Sequence, residues 1–301
     1  MTRQSMPNAD HADAAGTAPR HRWVACASPQ GLHRMAYTEW GARDNARVLI
    51  CVHGLTRVGR DFDYLAARLA ERYRVICPDV VGRGMSDWLK DPAGYAIPQY
   101  VADMVTLIAR LDVPAVHWLG TSMGGLIGIV LAALPGSPIE RLILNDVGPV
   151  IEQAALARIG DYVGQTPEFA NMDEAITYVR GVSAPFALES DAQWRFITEH
   201  AVRPTQDGRL RLHYDPAIAA PFRTAFAQGS VDLWPMYDAI RCPTLVIRGE
   251  HSDLLSHATA AAMCARGPGA GLREIPGVGH APMFMNDPQV AVVREFLLAQ
   301  S

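Results

Sequence analysis

The sequence predicts an α/β fold with a mostly parallel central sheet, helices on both of its faces and an inserted helical cap. Short apolar segments with strand character alternate with helical segments along most of the chain. The alternation stops once, between Gly148 and Trp234, where helical patterns dominate. A chain of 301 residues, 49% of them hydrophobic, can bury one large core and still carry such an insertion.

The elements can be assigned in chain order. Arg22–Ser28 and Leu32–Trp40 are expected to form an antiparallel pair of strands at one edge of the sheet. The alternating segments that follow are strand 47–53, helix 59–71, strand 73–78, helix 98–111, strand 115–120, helix 122–134 and strand 139–145. After the interruption come strand 243–249, helix 256–265, strand 272–276 and helix 288–299. Strands that alternate with helices in this way pair in parallel.

The interruption itself predicts a separate layer. Three amphipathic helices are expected at 151–164, 171–182 and 190–201, with Pro167, Pro185 and Pro204 as breaks between and after them. We therefore predict a core formed by residues 21–149 and 236–301, a cap at 150–235 and a flexible tail at 1–20. An insertion directly after a core strand is expected to cover the site and exclude water, the alternative being a simple buttress.

Composition restricts the function classes. The 27 basic and 31 acidic residues give a net charge of −4, which argues against nucleic acid or an anionic membrane as partner. No apolar run approaches the length of a membrane span, and residues 1–20 lack the apolar centre of a secretory signal. Five cysteines without metal-type spacing suggest a reducing compartment, so we expect a cytoplasmic protein. The composition leaves open whether the protein forms a homo-oligomer.

The most informative motif is Gly-Thr-Ser-Met-Gly at residues 120–124, which fits G-x-S-x-G. An apolar strand at 115–119 precedes it, and a helix that Pro135 would end follows it. Strand, sharp turn and helix form the context of a nucleophile elbow, in which the serine hydroxyl is lifted clear of the sheet at a helix N-terminus. Ser122 is therefore predicted to be a nucleophile.

A nucleophilic serine needs a base and an acid that orients it, expected in the chain order Ser, Asp or Glu, His. Strand 243–249 ends in a polar loop that contains Asp253, and strand 272–276 ends in a glycine-flanked His280. Both follow carboxyl ends of strands, where open parallel sheets place their active sites. We assign Asp253 as the acid and His280 as the base.

Other candidates must be weighed because the chain has ten histidines. His251 and His257 flank the acid loop without a strand-and-glycine platform, and His117 within a strand is expected to be a hydrogen-bonded structural histidine. Glu250 is a weaker acid candidate. Asp146, after strand 139–145, is the more serious rival, because some enzymes of this architecture carry the acid there.

Backbone N–H groups must also face the oxyanion that forms during acyl transfer. Met123, directly after the nucleophile, is expected to supply one donor. Leu55, in the loop after the apolar strand at 48–52, is expected to supply the other. His53 in the same loop is expected to brace it rather than to act as a base.

Together these motifs resemble the α/β-hydrolase superfamily, in its cap-bearing branch. The resemblance covers about Val48 to Leu298, and residues 79–87 also look like the family's D-x-x-G-x-G-x-S segment, which shapes the floor of the site. It implies a serine hydrolase that cleaves a small-molecule carboxylic ester through an acyl-enzyme, with no metal or organic cofactor. Lactone opening and carbon–carbon bond hydrolysis are alternatives on the same triad, and a non-catalytic ligand-binding relative is a further one.

Residues of the substrate pocket are harder to identify. Arg57 could bind a substrate carboxylate, since a guanidinium matches carboxylate geometry. The competing interpretation is a salt bridge to Asp61, Asp63 or Asp87. Candidates for an apolar lining are Trp88, Phe186, Trp194 and Met283.

Overall fold

The computed structural model describes residues 18–227 and 232–299, with the side chains of 225–227 left aside. The predicted tail therefore lies almost wholly outside the described residues. The strands of the main sheet are β1 (Arg20–Ser28), β2 (Gly31–Trp40), β3 (Val48–Val52), β4 (Arg74–Pro78), β5 (Val116–Thr121), β6 (Ile139–Asn145), β10 (Thr244–Gly249) and β11 (Gly271–Ile275). Their spatial order is β1-β2-β4-β3-β5-β6-β10-β11. The pairs β1–β2 and β2–β4 are antiparallel and the other pairs are parallel, so the predicted fold class is confirmed.

Ten helices flank or cover the sheet in the described ranges. They are α1 (Asp63–Leu69), α2 (Ile97–Leu111), α3 (Met123–Ala133), α4 (Gln153–Tyr162), α5 (Met172–Val182), α6 (Asp191–Ala201), α7 (Ala219–Ala227), α8 (Trp234–Ala239), α9 (His257–Ala265) and α10 (Asp287–Leu298). None of these helices is both long and apolar enough to cross a membrane.

The central strands are mostly buried on both faces, and β3 is accordingly apolar along its whole length rather than alternating. In β3, Ile50 packs into one core together with residues of α2 and α3. Its neighbours Leu49 and Cys51 pack into the other core, together with residues of α1 and α10. Two hydrophobic layers therefore hold the sheet, and the carboxyl ends of its parallel strands are left to build the site.

The segment predicted at helix 59–71 is divided into two pieces. A 3₁₀ turn covers Gly59–Phe62, and α1 begins only at Asp63. The buried carboxylate of Asp79 accepts a 2.8 Å hydrogen bond from the Gly59 N–H, which fixes the turn. Burial raises the pKa of Asp79 to about 6, and the backbone donors from Met85 and Gly59 oppose that rise.

The chain between β6 and β10 leaves the sheet, as the interrupted alternation predicts. It contains α4 to α8 and a small antiparallel sheet of β7 (Glu168–Phe169), β9 (Leu210–Leu212) and β8 (Val202–Pro204), in that order. These strands are too short to leave a periodic pattern in the sequence. Backbone bonds attach the layer to the core, among them those from the Gly84 N–H to the His213 carbonyl at 2.9 Å and from the Asp215 N–H to the Gly82 carbonyl at 2.7 Å.

Candidate active site

Ser122 occupies a strained turn between β5 and α3. Its φ is 52° and its ψ is −117°, a conformation that L-residues rarely adopt. The turn requires small residues on either side. A Cβ on Gly120 would lie 2.2 Å from the Gly124 carbonyl oxygen, and a Cβ on Gly124 would lie 2.1 Å from the Val52 carbonyl oxygen. The two glycines of the motif thus let the backbone pass close enough to present the Ser122 hydroxyl.

His280 reaches Ser122 from the loop after β11. Its Nε2 atom lies 3.1 Å from Ser122 Oγ, within hydrogen-bond distance. Its Nδ1 atom lies 2.7 Å from Asp146 Oδ2. Because a carboxylate can only accept, Nδ1 carries the proton and Nε2 is left to accept from the serine. The loop is held in place by a 2.7 Å bond from the Gly279 N–H to the Pro185 carbonyl in the cap.

The carboxylate against His280 belongs to Asp146, so the geometry corrects the sequence-based choice of Asp253. Asp146 directly follows β6 and is fully buried. Its Oδ1 accepts from the Gly249 N–H at 2.9 Å, and its Oδ2 accepts from the Ser252 hydroxyl at 2.6 Å. The loop after β10 therefore contributes Ser252, which holds the carboxylate of Asp146, instead of contributing an acid.

Asp253 faces the cap instead. It accepts from Arg158 of α4, with Nε to Oδ2 at 2.6 Å and Nη2 to Oδ1 at 2.9 Å. Its side chain is 43% exposed. Burial raises the pKa of Asp253, but the bonds and charge of Arg158 outweigh this effect, and the pKa lies below its usual value. Among the described residues, Asp253 makes no hydrogen bond to His280, whose Nδ1 faces Asp146 instead. Glu250, the other candidate in this loop, bonds to the Gly277 N–H at 2.7 Å.

The loop after β3 lies beside the serine. His53 is buried, its Nδ1 donating to the Gly54 carbonyl at 2.7 Å and its Nε2 accepting from the Val80 N–H at 2.9 Å. Burial lowers the pKa of His53 to about 3, so the ring stays neutral and braces the loop as expected. In the described ranges, neither the Leu55 N–H nor the Met123 N–H has a hydrogen-bond acceptor. Both are free to face an oxyanion.

A buried guanidinium supports this loop from below. Arg83, in the segment at 79–87, is fully buried and donates through Nε to the Leu55 carbonyl at 2.8 Å. Its Nη1 donates to the Val81 carbonyl and to Tyr100 Oη, each at 2.8 Å. The sequence motif thus corresponds to a physical support for the loop that carries Leu55.

The predicted pocket residues divide into two groups. Arg57, Phe186 and Met283 line the cavity that contains Ser122 and His280, whereas Trp88 and Trp194 do not. Trp88 lies beneath the guanidinium of Arg203 at 4.5 Å, and Trp194 packs inside a small hydrophobic cluster between the cap and the core. The salt-bridge interpretation of Arg57 matches the structure, since its Nε and Nη2 each donate to Asp61 at 2.7 Å.

The sequence reading missed the polar residues that the cap brings to this cavity. They are Arg158 and Tyr162 of α4, Tyr178 of α5, and Tyr214. Arg158 and Tyr162 are four residues apart on an amphipathic helix, a spacing that indicates a shared face. Nothing in the sequence indicates that this face turns towards the serine.

Comparison with known proteins agrees with this architecture. A sequence profile described as alpha/beta hydrolase fold matches residues 47–287. The chain belongs to the α/β-hydrolase family. This α/β hydrolase is 52% identical over 285 residues to the 3-hydroxybutyrate-oligomer hydrolase of Cupriavidus necator, covering 92% of this chain and 97% of that protein. The prediction of a hydrolytic enzyme of this family is thereby confirmed.

Two solved structures resemble this α/β hydrolase along nearly its whole length. A hydrolase structure from Rickettsia typhi has a TM-score of 0.87 and 33% identity, covering 94% of this chain and 100% of that one. An α/β hydrolase from Novosphingobium aromaticivorans has a TM-score of 0.83 and 37% identity, covering 94% of this chain and 98% of that one.

Proposed function

We propose that the protein is a serine hydrolase that cleaves carboxylic ester bonds in short oligomers of 3-hydroxybutyrate. The observation that carries the proposal is the continuous line of hydrogen bonds from Ser122 through His280 to Asp146. It is the arrangement that activates a serine hydroxyl for attack on a carbonyl carbon. The substrate class is supported by the relative with 52% identity, whose name specifies such oligomers.

In the acylation step, His280 Nε2 takes the proton of Ser122 as Oγ attacks the ester carbonyl. The imidazolium that forms is stabilised by Asp146, whose buried position prevents water from screening the interaction. The carbonyl oxygen becomes an oxyanion facing the N–H groups of Leu55 and Met123, and each such donor contributes about 3 kcal/mol to transition-state stability. His280 then gives its proton to the leaving hydroxyl of the next monomer unit.

In the deacylation step, His280 removes a proton from the water that attacks the acyl carbon, the bond from this carbon to Ser122 Oγ breaks, and His280 returns the proton to Oγ. The acyl part leaves as a carboxylic acid, and Ser122 is regenerated. The cap layer helps by restricting bulk water, because Tyr162, Phe186 and Leu212 from the cap and Met283 from the core form walls around the serine.

The proposal is tested by incubating the purified protein with the dimer and trimer of 3-hydroxybutyrate and measuring monomer release by chromatography. We expect monomer from the wild type and a loss of about 10⁴-fold or more in Ser122→Ala, since members of such a unit act together. A matched panel of lactones, amides and vinylogous diketones separates the other reactions that the same residues can perform. Faster turnover of a lactone or diketone than of any ester would contradict the proposal, as would no turnover at all.

A further inference from the structure

The wall of the cavity opposite the catalytic serine includes two polar side chains from one face of α4. Arg158 and Tyr162 both line the cavity together with Ser122 and His280. Their spacing of four residues places them next to each other on the helix surface. Neither side chain takes part in the hydrogen-bond line from Ser122 to Asp146, and the mechanism described above uses no polar group of either residue.

Arg158 has part of its hydrogen-bonding capacity free. Its Nε and Nη2 bind Asp253, but in the described ranges its Nη1 has no acceptor. A guanidinium presents five donors, so the edge formed by Nη1 and Nη2 can still receive a second carboxylate. The side chain is 33% exposed and lines the cavity that contains Ser122.

Tyr162 adds a hydroxyl donor beside this edge. Its Oη has no partner within residues 18–227 and 232–299. Burial raises the pKa of Tyr162 in spite of the opposing charges of Arg158 and Arg57, so the hydroxyl keeps its proton at neutral pH. Tyr178 Oη, in the same cavity, is buried and also lacks a partner. Buried hydroxyls are usually bonded, and unpaired ones that line a cavity indicate a ligand with oxygen acceptors.

Arg57 is the other guanidinium of the cavity and is unsuited to this task. Its Nε and Nη2 are both engaged by Asp61, and Nη2 also donates to the Ile197 carbonyl at 3.2 Å. Its side chain is 12% exposed and that of Asp61 is 6% exposed. Arg158 is paired through the same two atoms, but the Arg57–Asp61 pair is the more enclosed of the two, whereas Arg158 and Asp253 are 33% and 43% exposed.

We propose that Arg158 and Tyr162 bind the free carboxylate of the substrate, so that the enzyme prefers oligoesters that end in a carboxylic acid to neutral esters. The inference rests on the ester hydrolysis proposed above. Asp253 acts in it as a positioning residue that sets the orientation of the guanidinium, while its own negative charge weakens the attraction for the substrate. Asp253, which the sequence pattern suggests as the catalytic acid, thus orients the arginine of this substrate-binding pair.

The test measures binding without turnover, in protein that carries Ser122→Ala. Calorimetry gives Kd for the 3-hydroxybutyrate dimer and for its methyl ester. When Arg158→Met is combined with Ser122→Ala, we expect Kd for the acid to rise about 10- to 100-fold more than Kd for the methyl ester. Tyr162→Phe should shift the same ratio in the same direction by a smaller factor. Arg195→Met is the matched control, because Arg195 forms an exposed ion pair with Asp173 elsewhere on the cap.

Asp253→Asn separates carboxylate binding from a purely structural clamp between cap and core. Removal of the competing negative charge should tighten binding of the acid about 2- to 5-fold. A clamp would instead lose affinity for both ligands in Asp253→Asn and in Arg158→Met alike. Equal losses for acid and methyl ester in Arg158→Met would overturn the inference. A wild type that hydrolyses no ester would contradict the proposed function, yet these binding ratios would still decide the role of Arg158.

Discussion

Substitution of Asp146 by asparagine probes the most consequential contact of the site. Asp146 is fully buried and accepts from His280, Ser252 and the Gly249 N–H. Asparagine has nearly the same shape, but one of its two terminal atoms is an N–H donor. If the amide oxygen keeps the Gly249 N–H, the amide nitrogen faces His280 Nδ1 and favours the tautomer that carries its proton on Nε2. That tautomer cannot accept the proton of Ser122.

The magnitude follows from these contacts. The wrong tautomer and the loss of a buried counter-charge should lower kcat/KM by about 10²- to 10⁴-fold. Two of the three hydrogen bonds to the carboxylate are weakened or lost, which should lower the free energy of unfolding by about 1–3 kcal/mol. The protein should therefore fold and bind substrate while it turns over slowly. Asp253→Asn, at a half-exposed carboxylate that contacts Arg158, should change kcat/KM for a neutral ester by at most about tenfold.

The assay is hydrolysis of p-nitrophenyl butyrate, with the melting temperature of each variant as a check on folding. The double variant Asp146→Asn/His280→Ala is the sharper test, since residues that act as one unit have non-additive effects. We expect it to be no slower than His280→Ala alone. Losses that multiply in the double variant, or a greater loss in Asp253→Asn than in Asp146→Asn, would refute the assignment of Asp146.

Three further predictions concern the architecture around the site. Gly124→Ala should lower the free energy of unfolding by about 1–3 kcal/mol or prevent folding, because its Cβ would meet the Val52 carbonyl. Gly181→Ala is the control, since nothing lies within 4 Å of the new Cβ, and it should be neutral or stabilising. Similar melting temperatures for the two variants would contradict the close packing inferred for the nucleophile elbow. Arg83→Met should lower kcat/KM by about tenfold and the free energy of unfolding by about 1–3 kcal/mol, since the carbonyl of Leu55 loses its charged donor. Full activity would show that the loop that carries Leu55 does not depend on Arg83. Stability should fall as pH drops below 6.5, because burial lowers the pKa of His53 to about 3 and those of His117 and His213 to about 4. The fully buried His53, neutral only in the folded state, contributes about 1.4 kcal/mol per pH unit, and the partly exposed His117 and His213 contribute less. Asp79, with its pKa raised to about 6, opposes one of these contributions between pH 3.8 and 6. The free energy of unfolding measured by urea titration should therefore still increase with pH in this range, and less steeply in His213→Gln. A free energy of unfolding that increases as pH falls would contradict the direction of these pKa shifts.

Much of the fold could be predicted from the sequence because the fold depends on local patterns. The unbroken apolar run of β3 and the apolar centres of β5 and β10 reflect burial on both faces, and the glycines at 120 and 124 reflect a close backbone contact that only glycine permits. Ser122 and His280 could be found in the same way, since each follows the end of a strand in a glycine-rich loop. The structure brings these two residues within hydrogen-bond distance.

The acid could not be decided from the sequence, because Asp146 and Asp253 both follow the carboxyl ends of core strands. What separates them is a long-range contact, the bonds of Arg158 in the cap to Asp253. Sequence periodicity places Arg158 on a helix but gives no information on which core loop the helix covers. The same limit explains why Trp88 and Trp194, both expected to line the pocket, do not. Trp88 packs under the cap sheet, and Trp194 packs inside a small hydrophobic cluster.

The most direct test of the account is the rate at which a fluorophosphonate labels the protein, with the modified residue located by peptide mass spectrometry. The probe reports the reactivity of the serine and needs no knowledge of the natural substrate. We predict that the probe labels Ser122 alone. The labelling rate should be similar in the wild type and in Asp253→Asn, and lower by about 10²-fold or more in Asp146→Asn. Label on another residue, or fast labelling of Asp146→Asn beside slow labelling of Asp253→Asn, would contradict it.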